Sequence, residues 1–145
     1  MVREAGWTDI EALLRLYLFL HEDSMPGDDA RRRAVWEQIM GDPNHHVLVY
    51  ELDGEIVAAC SCVVIPNLTR ALRPFALIEN VVTHVAHRRR GYALRCLERA
   101  REIARNEGCY KIMLMTGAKD PGTLAFYRRA GFDNEEKTVF IQRLD

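Results

Sequence analysis

The chain has 145 residues, enough for one domain (residues 1–145) with a sizeable core, and its 48% apolar and 28% charged residues fit a soluble globular protein. The formal net charge of -1 excludes a protein that binds polyanions with its whole surface, so any basic site must be local. No apolar run approaches the roughly 20 residues needed to span a bilayer, and MVREAGWTDIEA lacks a hydrophobic signal core, so no membrane partner is expected.

In chain order, residues 1–4 form a short strand candidate. Thr8 or Asp9 can then N-cap a helix whose apolar positions Ile10, Leu13, Leu14, Tyr17 and Leu20 repeat at helical spacing. HEDSMPGDD is a polar break, and a second helix follows over residues 28–40. After the turn GDPNHH, the run HVLVYELDGEIVAACSCVVI reads as a hairpin closed by Asp53-Gly54. Another strand over residues 75–83 leads into HRRRGYA and a long helix, LRCLERAREIARNEG.

KIMLM then reads as a short buried strand. DPGTLAFYRRAGF reads as a short helix with Asp120 as N-cap, Pro121 in its first turn and Gly131 as its stop. KTVFIQRL closes the chain as a last strand. No repeat, low-complexity tract or linker divides these elements, and their order predicts a mixed sheet with helices on both faces.

The four cysteines, Cys60, Cys62, Cys96 and Cys109, lack metal-ligand spacing and read as small buried thiols in a reducing cytosol; a cytoplasmic location is expected. His45-His46 sits at a turn without further ligands, so no metal site is expected.

HRRRGYA carries the most specific signal. A charge run on a solvated face is one reading, and a phosphate cradle at a helix start is the other. Gly91 is useful where a strand turns into a helix and a ligand approaches the backbone, because the first helical N–H groups point outward and the macrodipole favours an anion. The nucleotide-binding patterns GxGxxG and GxxxxGK[ST] are absent, and three arginines fall short of a nucleic-acid patch, so no nucleic-acid partner is expected.

Arg88-x-x-Gly91-x-Ala93, directly after IENVVTHV, resembles the acetyl-CoA signature of the GNAT superfamily of N-acetyltransferases. VREAGWTDIEALLRL is similar to the family's opening strand and first helix, and LAFYRRAGF to its penultimate helix. IENVV, GCYKIML, FY and GF together are most similar to the branch containing glucosamine-phosphate N-acetyltransferases, although the acid of that branch's fifth strand is replaced here by Met115.

The resemblance implies a GNAT fold of the α/β (α+β) class: a mixed, mostly antiparallel sheet of six to seven strands flanked by about four helices. It implies acetyl transfer from acetyl-CoA to a primary amine of a small-molecule or peptide acceptor, by direct attack in a ternary complex without a metal. A non-catalytic acyl-CoA sensor of the same fold is the alternative. Backbone amides of Arg89, Arg90, Gly91, Tyr92, Ala93 and Leu94 would meet the pyrophosphate, with Arg88 and its neighbours adding charge.

Main-chain groups of Val81, Val82 and Thr83 would hold the pantetheine arm, and one N–H there, that of Val82, would polarise the thioester carbonyl. Tyr127 takes the position of the acid that protonates the departing thiolate. Asp120 stands where the family usually has Asn, and as a carboxylate it lacks the amide's donor. Glu79, on the strand face of Leu77, Val81 and Thr83, is the candidate base if burial raises its pKa; Asn80, on the opposite face, reads as structural. The acidic loop His21-Glu22-Asp23 falls where the family shapes its acceptor pocket. Dimerisation is common in this fold, and the closing strand could mediate a homodimer.

Overall fold

Alternation along the β-rich runs decides how the layers form. In the computed structural model, which describes all residues Met1–Asp145, five strands, β1 (Val2–Glu4), β2 (His45–Leu52), β3 (Glu55–Ile65), β4 (Phe75–Thr83) and β5 (Ile112–Leu114), make one sheet in the order β1-β2-β3-β4-β5. Neighbours are antiparallel except β4 and β5, which run parallel. Four α-helices, α1 (Ile10–Tyr17), α2 (Asp29–Gly41), α3 (Tyr92–Asn106) and α4 (Pro121–Arg129), complete an α+β fold.

Successive strand residues point to opposite faces, so each strand supplies two cores. Leu48, Ala58, Cys60, Cys62 and Ile78 pack with Cys96, Leu97, Ala100 and Ile103 of α3. On the other face, Val47, Val49, Ala59 and Val82 pack with Leu13 and Leu16 of α1 and Trp36 of α2. The small residues Ala58, Ala59, Cys60 and Cys62 are completely buried, which lets both helical layers approach the middle of the sheet.

Turn and cap chemistry follow the sequence closely. Asp53 and Gly54 both have positive φ (50° and 83°), the conformation of a two-residue hairpin turn that matches strand twist. Asp28 caps α2 by accepting from the Arg31 N–H at 2.9 Å, and Asp120 caps α4 by accepting from the Thr123 N–H at 2.9 Å. Asp9, in contrast, does not cap α1. A turn of 3-10 helix over Trp7–Asp9 precedes that helix, and the Asp9 carboxylate reaches back to the Gly6 N–H (2.6 Å) and forward to the Arg3 guanidinium (2.6 and 3.1 Å).

Two expectations are corrected. The sheet has five strands rather than six to seven. The segment expected to close it, KTVFIQRL, pairs with nothing: residues 133–145 are all exposed and belong to no strand. An extended segment becomes a strand only where a neighbour accepts its main-chain hydrogen bonds, and nothing in this copy of the chain does so.

In β4, the register passes from Ser61↔Glu79 to Ala59↔Val82, so two residues of β4, Asn80 and Val81, oppose Cys60 alone of β3. The extra residue is Asn80, in the left-handed region at φ 54°. This bulge breaks the alternation. Ala76 and Ile78 face α3, whereas Val82 faces α1 and α2, although an unbroken strand would put all three on one face.

Arg3 bridges Asp9 and, at 2.7 Å, Glu51, tying the chain before α1 to the β2–β3 hairpin. The Arg3 hydrogen bond holds the Asp9 carboxyl below the ordinary carboxylate range despite its partial burial. A depressed folded-state pKa contributes stability above the unfolded value, near pH 4, and that contribution is lost as pH falls through the folded value. Urea titrations at pH 7 and pH 3 should therefore show a smaller acid loss of stability in Asp9→Asn than in the unaltered protein.

Candidate active site

The parallel pairing of β4 and β5 stops at Ile78↔Leu114. Beyond it, β4 continues with β3 on one side and no strand on the other, as far as Thr83. Main-chain groups on that side of residues 79–83 therefore have no sheet partner. A cleft of about 990 Å³ opens there, walled by Val81, Val82 and Thr83 on one side and by Thr116, Ala118 and Asp120 of the chain after β5 on the other.

The floor of the cleft is the start of α3. Gly91 precedes the helix at φ 81°, a conformation that costs a β-carbon-bearing residue roughly 1–2 kcal/mol. The first intrahelical bond is Arg95 N–H to the Gly91 carbonyl, so the amides of Tyr92, Ala93 and Leu94 have no acceptor within the helix. No side chain caps them, in contrast to α2 and α4. A β-carbon built on Gly91 meets no protein atom within 4 Å, so space beside it is open. Uncapped amides, an empty approach and the positive helix end together fit an anionic group such as a pyrophosphate.

The arginines divide their work. Arg88 is exposed and donates to two carbonyls, Nε to Thr83 at 3.4 Å and Nη2 to Phe19 at 3.5 Å, long bonds between the end of β4 and the segment after α1. Arg89 lines the cleft with its backbone at φ 61°, and Arg129 of α4 joins from the far side. Arg90 is exposed and lies outside the lining. Neither Arg89 nor Arg90 forms an ion pair. The only acid on the cleft wall is Asp120, whose carboxylate is held below the ordinary range by the Thr123 N–H it caps.

His87 also lines the cleft, and its Nδ1 is buried without a hydrogen-bond partner. Tyr92 directs its ring away from the cradle, stacked on Tyr50 at 4.3 Å between centroids, which leaves its amide at the helix start. Tyr127 lies half-buried on the wall formed by α4, its ring packed edge-on against Phe126 and Phe132. Burial pushes its phenol above the ordinary value, so it keeps its proton at neutral pH.

Glu79 departs from expectation. It is exposed, sits opposite Ser61 in the register and lines neither large cavity. Asn80, read as structural, lines a second cavity of about 340 Å³ on the α1–α2 face of the sheet. Tyr17 and Ser61 share that cavity, whose remaining walls are mainly apolar side chains such as Leu14, Val35 and Ile39. Burial pushes the Tyr17 phenol up, with the Ser61 hydroxyl opposing the shift.

The sequence reading missed this trio. Tyr17 counted as one more apolar helix position and Ser61 as the middle of CSC, and only the bulge brings Asn80 to them. His87, at the head of HRRRGYA, and Arg129, inside LAFYRRAGF, line the cleft although the sequence reading gave neither a role there.

No group of three or more His, Cys, Asp or Glu side chains is arranged to hold a metal ion. His46 instead meets Glu4, with Nδ1 at 3.1 Å from Oε1. No helix is long and apolar enough to cross a membrane.

The profile described as "Acetyltransferase (GNAT) family" matches residues 7–132, and the chain belongs to that family. A glucosamine 6-phosphate N-acetyltransferase of Trypanosoma brucei brucei is 33% identical over 99 residues, which is 68% of this chain and 63% of that protein. An aminoglycoside N(6')-acetyltransferase type 1 of Serratia marcescens is 25% identical over 138 residues, 93% of this chain and 92% of its own length. The solved structure of a proposed acetyltransferase from Agrobacterium tumefaciens superposes with a TM-score of 0.91 at 38% identity, covering 99% of both chains.

The cysteines stand apart from this chemistry. Burial raises the thiols of Cys62 and Cys96 to about 12 and that of Cys60 well above its ordinary value, so all three are unreactive thiols at pH 8. Cys109 is only partly buried. Ellman's reagent at pH 8 should therefore modify Cys109 first in the folded protein, and the other three only after denaturation.

Proposed function

We propose that the protein transfers an acetyl group from acetyl-CoA to a primary amine within a ternary complex. The observation that carries this reading is the uncapped start of α3, with its left-handed Gly91, beside the unpaired edge of β4. A pyrophosphate would be held by the amides of Gly91, Tyr92, Ala93 and Leu94, with Arg88 and Arg89 contributing charge nearby. Of the three residues expected to hold the pantetheine, Val81 and Thr83 would offer free main-chain groups to it as a strand neighbour, while those of Val82 face β3. Bound acetyl-CoA supplies a thioester, whose acyl carbon is open to attack by an uncharged amine.

Within this frame Tyr127 is the proton donor. Its phenol is protonated at neutral pH, and it stands on the wall opposite the β4 edge. A phenol with a pKa near 10 can give a proton to a departing thiolate whose reference pKa is near 8.5, provided that water then restores it. An N–H at the free β4 edge would stabilise charge developing on the acetyl oxygen; that of Val82, named by the resemblance, is turned instead to Ala59 of β3, in register with the His84 N–H bonded to the Val57 carbonyl. Glu79, exposed at the bulge, would take the acceptor's ammonium proton through water rather than directly.

The acceptor is assigned to the cavity of Tyr17, Ser61 and Asn80. Asn80 lines it while the next residue, Val81, lines the cleft, so the bulge of β4 borders both spaces. A volume of about 340 Å³ is at the small end for a ligand site and suits one ring with short substituents. The mainly apolar walls favour an amine carried on an apolar body over a highly hydroxylated one.

Three outcomes test this reading. Calorimetry should show acetyl-CoA and free CoA binding to the protein, and Gly91→Val should weaken both by about 10–100-fold while leaving the circular dichroism spectrum unchanged. Tyr127→Phe should lower kcat by about 100-fold or more with little change in acetyl-CoA affinity; an unchanged kcat removes Tyr127 as the donor. In a panel with acetyl-CoA, phenethylamine should be turned over with a higher kcat/KM than a three-ring aminoglycoside, and the reverse order would overturn the assignment of the acceptor cavity.

A further inference from the structure

The charges around the acceptor cavity do not suit a simple cation. Asp28 is the only acid in its lining, and that carboxylate is committed to α2, where it accepts from the Arg31 N–H at 2.9 Å. Two arginines from the first turn of the same helix, Arg31 and Arg32, line the cavity as well. Arg32 is neutralised, since its guanidinium meets Glu11 at 3.0 Å and Asp29 at 2.8 Å, two acids outside the lining. Arg31 forms no ion pair. His45 adds no charge at neutral pH, because burial holds its imidazole below the ordinary value. One unmatched guanidinium is what remains.

The polar groups of the cavity are divided between layers. Ser61 of β3 and Asn80 of β4 belong to the sheet and Tyr17 ends α1, whereas Arg31 belongs to α2. The cleft in which a thioester would lie borders the sheet side, through Val81. An acceptor whose amine reaches the bulge of β4 therefore rests its body on apolar side chains and turns its other end towards α2. That helix is fixed in place: Trp36 is buried in the core of this face, and its Nε1 donates to the Trp7 carbonyl at 3.0 Å. An apolar end would leave the Arg31 charge unmatched. A carboxylate would meet it, because the planar guanidinium fork fits two carboxylate oxygens through parallel hydrogen bonds.

We propose that the acceptor is a zwitterion, an amine on a small apolar body whose opposite end carries a carboxylate bound by Arg31. This rests on the assignment of the acceptor to that cavity and adds the second group by which it is recognised. The same charge works against polycations. An aminoglycoside would bring several ammonium groups to a wall that already holds a free guanidinium, and like charges brought together at a site reject a partner.

Three amines that differ only at the para position test this with the full chain and acetyl-CoA: phenethylamine, tyramine and 4-(2-aminoethyl)benzoate. The benzoate should show a kcat/KM about 10-fold above the other two, the effect of one charge-assisted contact. The gain should lie in KM rather than kcat, since the carboxylate is held equally before and during transfer. In Arg31→Gln the advantage over tyramine should vanish, and Arg31→Lys should keep part of it. Should those variants fail to fold, the unaltered protein gives a second measure. Raising salt from about 0.01 M to 1 M should shrink the benzoate's advantage by screening, with the tyramine to phenethylamine ratio constant. Turnover of phenethylamine with no gain from the carboxylate, a gain that persists in Arg31→Gln, or a gain indifferent to salt would overturn the anionic end alone and leave the cavity as the acceptor site. Failure of all three amines would instead overturn the assignment of the cavity, and this inference with it.

Discussion

Strand β4 carries one residue more than β3 can match, and Asn80 absorbs the excess in a left-handed conformation in mid-strand. A bulge locally increases twist and turns the following residues over. Before it, β4 is an interior strand, bonded to β3 and β5 and packed by alternate residues against α3. After it, β4 bonds to β3 alone, and its free side becomes one wall of the large cleft. The same residue brings Asn80 under α1 and α2, next to Ser61 and Tyr17. One local constraint thus gives β4 an open edge towards one ligand space and a polar side chain towards another.

The second constraint is electrostatic and sits where β4 ends. A protein of net charge -1 has no general attraction for anions, so attraction must be built at one point. The α3 start supplies it with fixed partial charges from uncapped amides, and the arginines supplement these with mobile ones. Arg88 spends its guanidinium on two carbonyls, which holds the segment after α1 against the end of β4. Asp28 and Asp120 cap their own helices, and a comparable acid before α3 would have satisfied the amides that are left open there. The missing cap is therefore as informative as the arginines.

Much of this was legible in the sequence because it depends on neighbours along the chain. Helix periodicity, the Asp53-Gly54 turn and the capping acid Asp120 are set by residues a few positions apart. Other readings failed where a distant partner decides the outcome. Asp9 is a good cap in isolation, but the Arg3 guanidinium competes for its carboxylate. Glu79 and Asn80 were assigned to opposite faces by simple alternation, which a bulge cancels, and a bulge depends on the register against β3. KTVFIQRL has the composition of a strand, yet strand formation needs an acceptor edge, and the sequence does not say on which molecule that edge lies.

The sequence by itself determined the order of elements as far as α4, the two-sided apolar character of the sheet and the location of the glycine-led start of α3. These follow from backbone propensities and from periodicities of two and three to four residues, which are local properties. Tertiary structure alone decided which β4 residues face which layer, that Glu79 stays in water, that Tyr17 and Ser61 share a cavity with Asn80, and that the C-terminal segment finds no partner in its own copy. Those outcomes depend on pairing and burial between residues far apart in the chain, where one residue of register exchanges inside for outside.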